Sequence, residues 1–272
     1  MGFAVLAVLV VFPEPLHEGL DLQIARATKE IEARPDSAGL HLQRGELHRL
    51  HEDWGAAKAD YDQAEKLDPK MAGVDLARGR LWLGAGDAKE AKKCLDRFLS
   101  REPESAPGLI ERGRALVRLG RRLEGAEDYT RGLARADRAK PEWYLERAEA
   151  LRAEGPARLE EAVRGLDEGI RKLGPVVTLR LMAIDLDLEL KNYDSALRRV
   201  EEIARQSERK DPWLARRGEI LQRAGRIKEA RETYAVALAS IETLPPSRRA
   251  AKFTQELEKQ VRAALEVIDA KP

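Results

Sequence analysis

Leu20, Ile24, Ala27 and Ile31 recur at steps of three and four, the spacing that gathers apolar side chains on one face of a helix. Phe253, Leu257, Val261, Leu265 and Ile268 repeat the pattern beyond Pro245-Pro246. Between these stripes one phrase is written again and again: Gln43-Arg44-Gly45-Glu46-Leu47, Ala77-Arg78-Gly79-Arg80-Leu81, Glu111-Arg112-Gly113-Arg114-Ala115, Glu146-Arg147-Ala148-Glu149-Ala150 and Arg216-Arg217-Gly218-Glu219-Ile220. Its small central residue returns after 34, 34, 35 and 70 residues, which leaves room for a further copy around Ile184 and makes six in all.

A second column of small residues, Ala57, Ala91, Gly125, Ala162, Ala196 and Ala230, follows the first by twelve residues in all copies but the fourth. There Gly155-Pro156 marks a turn lengthened by two residues. Pro69, Pro103, Pro175 and Pro212 close most copies, because proline just beyond a helix end cannot extend it. Each copy therefore reads as helix, turn, helix. Gly or Ala at the two columns lets the paired helices approach where they cross, while larger apolar residues fill the flanks.

This arrangement, with Gly45, Trp54, Ala57, Tyr61, Ala64 and Pro69 in register in the first copy and Leu190-Lys191-Asn192-Tyr193-Asp194-Ser195-Ala196 as the turn of the fifth, resembles the tetratricopeptide repeat from about Asp36 to Ile241. It departs from the family pattern at His41, Asp75 and Ile184. The resemblance implies an all-α fold, a right-handed α-solenoid of about six helix pairs. Units of this kind stack because none buries its own faces alone, and the ends need caps. The expected boundaries are an apolar leader at 1–16, a capping helix at 17–35, six repeats at 36–243 and a C-terminal capping helix at 244–272. Gly45, Gly79, Gly113 and Gly218, with Ala57, Ala91, Ala162, Ala196 and Ala230, are the expected structural positions.

The same resemblance implies that the first helix of each unit lines a concave face. Three residues before each small position stand Leu42, Leu76, Ile110, Leu145, Leu181 and Ala215; one after it stand Glu46, Arg80, Arg114, Glu149, Asp185 and Glu219. An apolar floor beside a charged row suits an extended peptide or an amphipathic helix. Arg80, Arg114 and Arg118 would favour an acidic segment or a C-terminal carboxylate. The Lys and Asn pair with which some family members clamp chaperone tails is replaced by Leu42 and Glu46. The competing reading of the charged row is mutual pairing between neighbouring repeats. Arg44, Arg78, Arg112, Arg147 and Arg217 recur too regularly for a single site, so each is expected to pack its stem and reach an acidic neighbour.

Charge changes the picture by exclusion. Lys plus Arg number 49 against 48 Asp plus Glu, and the resulting +1 supplies no field for a nucleic-acid backbone. An inner row of apolar residues also disfavours an RNA-reading array. Cys94 is alone, so no intramolecular disulfide or multi-cysteine zinc site can form. No phosphate loop, GxSxG elbow, HExxH pair or EF-hand loop occurs. The expectation is a scaffold or adaptor that is not an enzyme, carries no cofactor or metal, and binds a protein or peptide with neither nucleic acid nor small-molecule substrate. His17, His41, His48 and His51 give the alternative, a metal-binding protein using the first repeat; a regulatory subunit of an enzyme complex is a further one.

Phe3 to Phe12 is an unbroken apolar run, too short to span a bilayer and lacking both a preceding cation and a small-x-small cleavage site. With Leu6 where a myristoylation pattern requires Ser or Thr, and no cysteine after the run, no lipid anchor is expected. If residues 1–16 act as a signal the protein belongs in the periplasm of a bacterium or outside the cell, with any membrane contact made through that leader; otherwise it is cytoplasmic.

Overall fold

A computed structural model of the chain describes residues 15–270, so the apolar run lies outside the described residues. They contain fifteen α-helices and no strand. Residues up to Ala136 form one compact unit and those from Asp137 a second. In the first, α1 (Pro15–Ala33) packs on α2 (Ala38–Leu50), followed by α3 (Trp54–Leu67), the pair α4 (Ala72–Gly84) and α5 (Ala88–Arg101), and the pair α6 (Ala106–Arg118) and α7 (Arg122–Arg135). In the second, α8 (Pro141–Arg152) pairs with α9 (Leu159–Leu173), α10 (Val177–Glu189) with α11 (Tyr193–Gln206), and α12 (Asp211–Arg223) with α13 (Ile227–Glu242). The short α14 (Pro246–Arg249) leads to α15 (Lys252–Asp269), which lies on α12 and α13. Three helix pairs and a terminal helix make up each unit, with the short α14 added in the second.

The turn inside each pair obeys one rule. Glu52, Gly86, Gly120, Gly155, Lys191 and Gly225, each seven residues past the first small position, have φ between 60° and 102°. That left-handed residue stops the helix and turns the next amide back onto it. Asp53, Asp87, Arg121, Asn192 and Arg226 accordingly donate their N–H to the carbonyls of His48, Trp82, Leu116, Asp187 and Leu221 at 2.7–2.9 Å. In the fourth pair Pro156 has no N–H to give, and a single 3-10 turn, Pro156–Arg158, carries the extra residues. Lys191 and Glu52 hold without glycine a conformation that costs an L-residue about 1 kcal/mol. Lys191→Gly is therefore expected to raise stability by about 0.5–1 kcal/mol, seen as a higher thermal midpoint.

The small columns lie at helix crossings. A Cβ on Gly45 would stand 2.5 Å from the Tyr61 ring, on Gly79 2.6 Å from Leu95, and on Gly218 2.6 Å from Tyr234. Tyr61, Leu95 and Tyr234 each follow their glycine by sixteen residues, so one geometry recurs across the copies. Ala57, Ala91, Ala162, Ala196 and Ala230 are fully buried. Around these contacts Tyr61, Val74 and Leu81 in the first unit, and Ile184, Val200, Ile220 and Ile241 in the second, form apolar cores. Ala27 and Ile31 are buried where α1 covers α2, and Leu257, Val261 and Ile268 where α15 closes the other end; Phe253, first in that stripe, is instead exposed beside the Arg209 guanidinium.

The recurring arginines knit the helices together. Arg44 grips Asp60 with two bonds of 2.7 and 2.8 Å and also donates to Thr28 of α1. Arg112 grips Asp128 in the same way and reaches back to Asp96 at 3.2 Å. Arg78 meets Asp62 and Glu65 at 2.7 Å, and Arg217 lies 3.7 Å from Glu201. Thr28, Asp62, Asp96 and Glu201 all stand sixteen residues before their arginine, so each of these four guanidinium groups ties its helix to the preceding one, which for Arg44 is the terminal helix α1. These bonds hold the Glu65 carboxyl below its usual range and push the Arg44 guanidinium up.

Candidate docking surfaces

In the first unit the leading helices α2, α4 and α6 stand side by side. Leu42 and Leu76 are half-buried; a Cβ on Gly73 of α4 would touch Leu42 at 3.4 Å. Ile110 departs from the expected apolar floor. It is 1% exposed, because α7 carries Gly132 opposite it and the isoleucine sinks into the gap, within 2.9 Å of where a Cβ on Gly132 would stand. It belongs to the core and offers a partner nothing.

Beside the two leucines runs a chain of charges. Glu46 accepts from Arg49 and from the Tyr61 hydroxyl, whose pKa is pushed up by burial and by that carboxylate. Arg80 stands between carboxylates, 3.9 Å from Glu46 and 3.3 Å from Glu111. Arg114 donates to Glu111 at 3.1 Å, and Arg118 donates to the Leu83 carbonyl at the end of α4. Mutual pairing is thus realised within this unit, and the arginines remain partly exposed. Glu111 was not singled out by the sequence, although it opens the third copy of the repeated phrase.

In the second unit Leu145 and Ala215 are half-buried and Leu181 is exposed. Glu149 and Asp185 are exposed, and Arg216 bridges Asp185 and Glu219 at 2.5 and 2.6 Å. Here the charged row is acidic, and Arg216 is the cation that holds two of its members.

The histidines are already engaged. His41 is buried with Nδ1 3.2 Å from Asp60 and Nε2 3.2 Å from the Pro35 carbonyl; His48 lies 3.9 Å from Asp60, and His51 3.3 Å from Asp21. His17 is outside the residues whose side chains are described. Among the described residues no group of three or more His, Cys, Asp or Glu is placed to hold a metal ion, and no helix is long and apolar enough to cross a membrane. Cys94 is buried, which pushes its thiol pKa up.

Residues 153–256 match the model of the tetratricopeptide repeat-like domain. A tetratricopeptide repeat protein from Parabacteroides merdae is 17% identical, with 91% of this chain and 94% of that one covered and a TM-score of 0.53. Pseudomonas aeruginosa PilF is also 17% identical, covering 84% of this chain and 99% of its own, with a TM-score of 0.56. YrrB, a TPR protein with an unusual peptide-binding site, is 21% identical over 65% of this chain and 90% of its own, with a TM-score of 0.52. Curated protein sequences give no match. The fold is that of a tetratricopeptide repeat protein, with all-α helix pairs in both units.

Proposed function

We propose that the protein is a non-catalytic scaffold that holds a peptide or an amphipathic helix against the leading helices of its first unit. The observation carrying this reading is the pairing of two half-buried leucines, Leu42 and Leu76, with a charged chain of partly exposed arginines, Arg49, Arg80, Arg114 and Arg118, that stand with Glu46 and Glu111. An apolar strip gives a partner area to cover, and partly exposed cations select and orient a carboxylate-bearing one. YrrB shows that a structure of this fold can carry a peptide site. The acidic row of Glu149, Asp185 and Glu219 in the second unit is a separate surface with the opposite preference. Placement outside the cytoplasm is proposed only on the condition that residues 1–16 act as a signal.

The test compares partners captured from the native host by the full chain and by an Arg80→Ala/Arg114→Ala/Arg118→Ala variant across a salt series. Binding by the variant should weaken about tenfold, equivalent to about 1.4 kcal/mol, and lose much of its salt dependence. Helicity and melting temperature of both proteins are measured alongside. Equal binding by two equally folded proteins removes the reading.

A further inference from the structure

Between α11 and α12 lies a pocket of about 270 Å³ that belongs to neither row described above. Its origin is visible in the repeat register. Four residues past the second small position the other copies carry Tyr61, Leu95, Tyr129, Leu166 and Tyr234, and the fifth carries Val200. Eight residues past, Leu99, Leu133, Ile170 and Leu238 stand where the fifth copy has Ala204; only the first copy, with Glu65, also lacks an aliphatic there. Val200 and Ala204 are one helical turn apart on the same face, so two shortened side chains leave their space in one place. Trp213 and Leu214 of α12 supply the facing walls.

The rim is basic. Arg217 comes no closer than 3.7 Å to Glu201, and its buried Nε has no hydrogen-bond partner. Arg205, with a side chain 77% exposed, lies 3.9 Å from that same Glu201. Lys210 donates to the Ala204 and Arg205 carbonyls at the end of α11. Three cations and one carboxylate therefore line an apolar hollow, and Arg205 and Arg217 lie nearest that carboxylate.

We propose that this pocket receives one large apolar side chain, aromatic or aliphatic, of an acidic linear segment in a partner protein, with carboxylates beside that side chain meeting Arg205 and Arg217. The hollow accounts for the apolar anchor and the unbalanced rim for its acidic flanks. Because the pocket shares no residue with the first-unit surface, the two proposals stand or fall separately.

The test uses the full chain and three blocked pentapeptides: Asp-Glu-Phe-Glu-Asp, the same with Ala for Phe, and the same with Lys at all four flanks. The readout is the Trp213 indole NMR signal, assigned by its disappearance in Trp213→Phe. The first peptide should shift that signal saturably, and the other two should bind at least tenfold more weakly. Ala204→Leu restores the residue that three other copies carry and should abolish the shift while leaving the melting temperature equal or higher. The Arg80→Ala/Arg114→Ala/Arg118→Ala variant should respond like the native chain. The proposal is overturned by absence of a saturable shift, by equal binding of acidic and Lys-flanked peptides, by binding that survives Ala204→Leu, or by a signal that moves with protein concentration alone, which would make a second copy the occupant.

Discussion

Replacing Gly125 by valine is expected to cost the first unit about 3 kcal/mol or more and to lower its melting temperature by roughly 10 °C or more. A Cβ at this position would stand 2.9 Å from the Gly113 carbonyl oxygen and 2.7 Å from Val117, and a Cβ on Gly113 would stand 3.1 Å from the Gly125 carbonyl oxygen. Two backbones face each other here, whereas the nearest contacts at Gly45, Gly79 and Gly218 are with side chains that can turn aside. Relief at the α6 and α7 crossing requires the helices themselves to separate, and each is also held by its neighbours. The comparison variant is Gly39→Ala, at an exposed helical position with nothing within 4 Å, which should be neutral or slightly stabilising. A thermal melt followed by circular dichroism decides the matter: a Gly125→Val protein that melts with Gly39→Ala would show that the crossing has slack the backbone distances deny.

That crossing was legible because a small residue at fixed spacing has few physical meanings. The helix pairs, their number and the arginine column all follow from such positions. The left-handed turn residue was present in the same way, at Gly86, Gly120, Gly155 and Gly225, but Glu52 and Lys191 in two copies broke the column and hid the rule. The acidic partners of the arginines were hidden by abundance. With 48 carboxylates in the chain, choosing Asp96 and Asp128 for Arg112 requires knowing which way side chains on adjacent helices point. Ile110 shows the limit of reading exposure from register alone, since its burial depends on Gly132 of the facing helix. The pocket at Ala204 had a signal, two shortened residues in columns otherwise filled, but it appears only when the copies are laid over one another.

Arg199→Ala is expected to destabilise the second unit by about 3–4 kcal/mol, and adding Asp187→Leu should recover most of the loss. In the first and third copies the cation is on the leading helix and the carboxylate on the following one, as Arg44 with Asp60 and Arg112 with Asp128. The fifth copy reverses this polarity. Ala183 takes the arginine column, Asp187 sits where other copies place Leu116, Leu151 or Leu221, and Arg199 of α11 reaches Asp187 at 2.8 Å and Asp167 at 2.6 Å. Burial alone would lower the Arg199 pKa, but its bonds to the two carboxylates more than reverse this and hold the guanidinium above its ordinary value. The Asp187 side chain is 2% exposed, so removing Arg199 strands a carboxylate that water cannot reach. Stranding one charge costs more than removing both, because the desolvation of the survivor is no longer offset. Asp187→Leu removes that charge and restores the aliphatic used by three other copies. Chemical denaturation of the native chain, the single variant and the double variant measures the difference directly. A double variant no more stable than Arg199→Ala would show that the arginine acts through its stem or through Asp167, and not by neutralising the buried carboxylate.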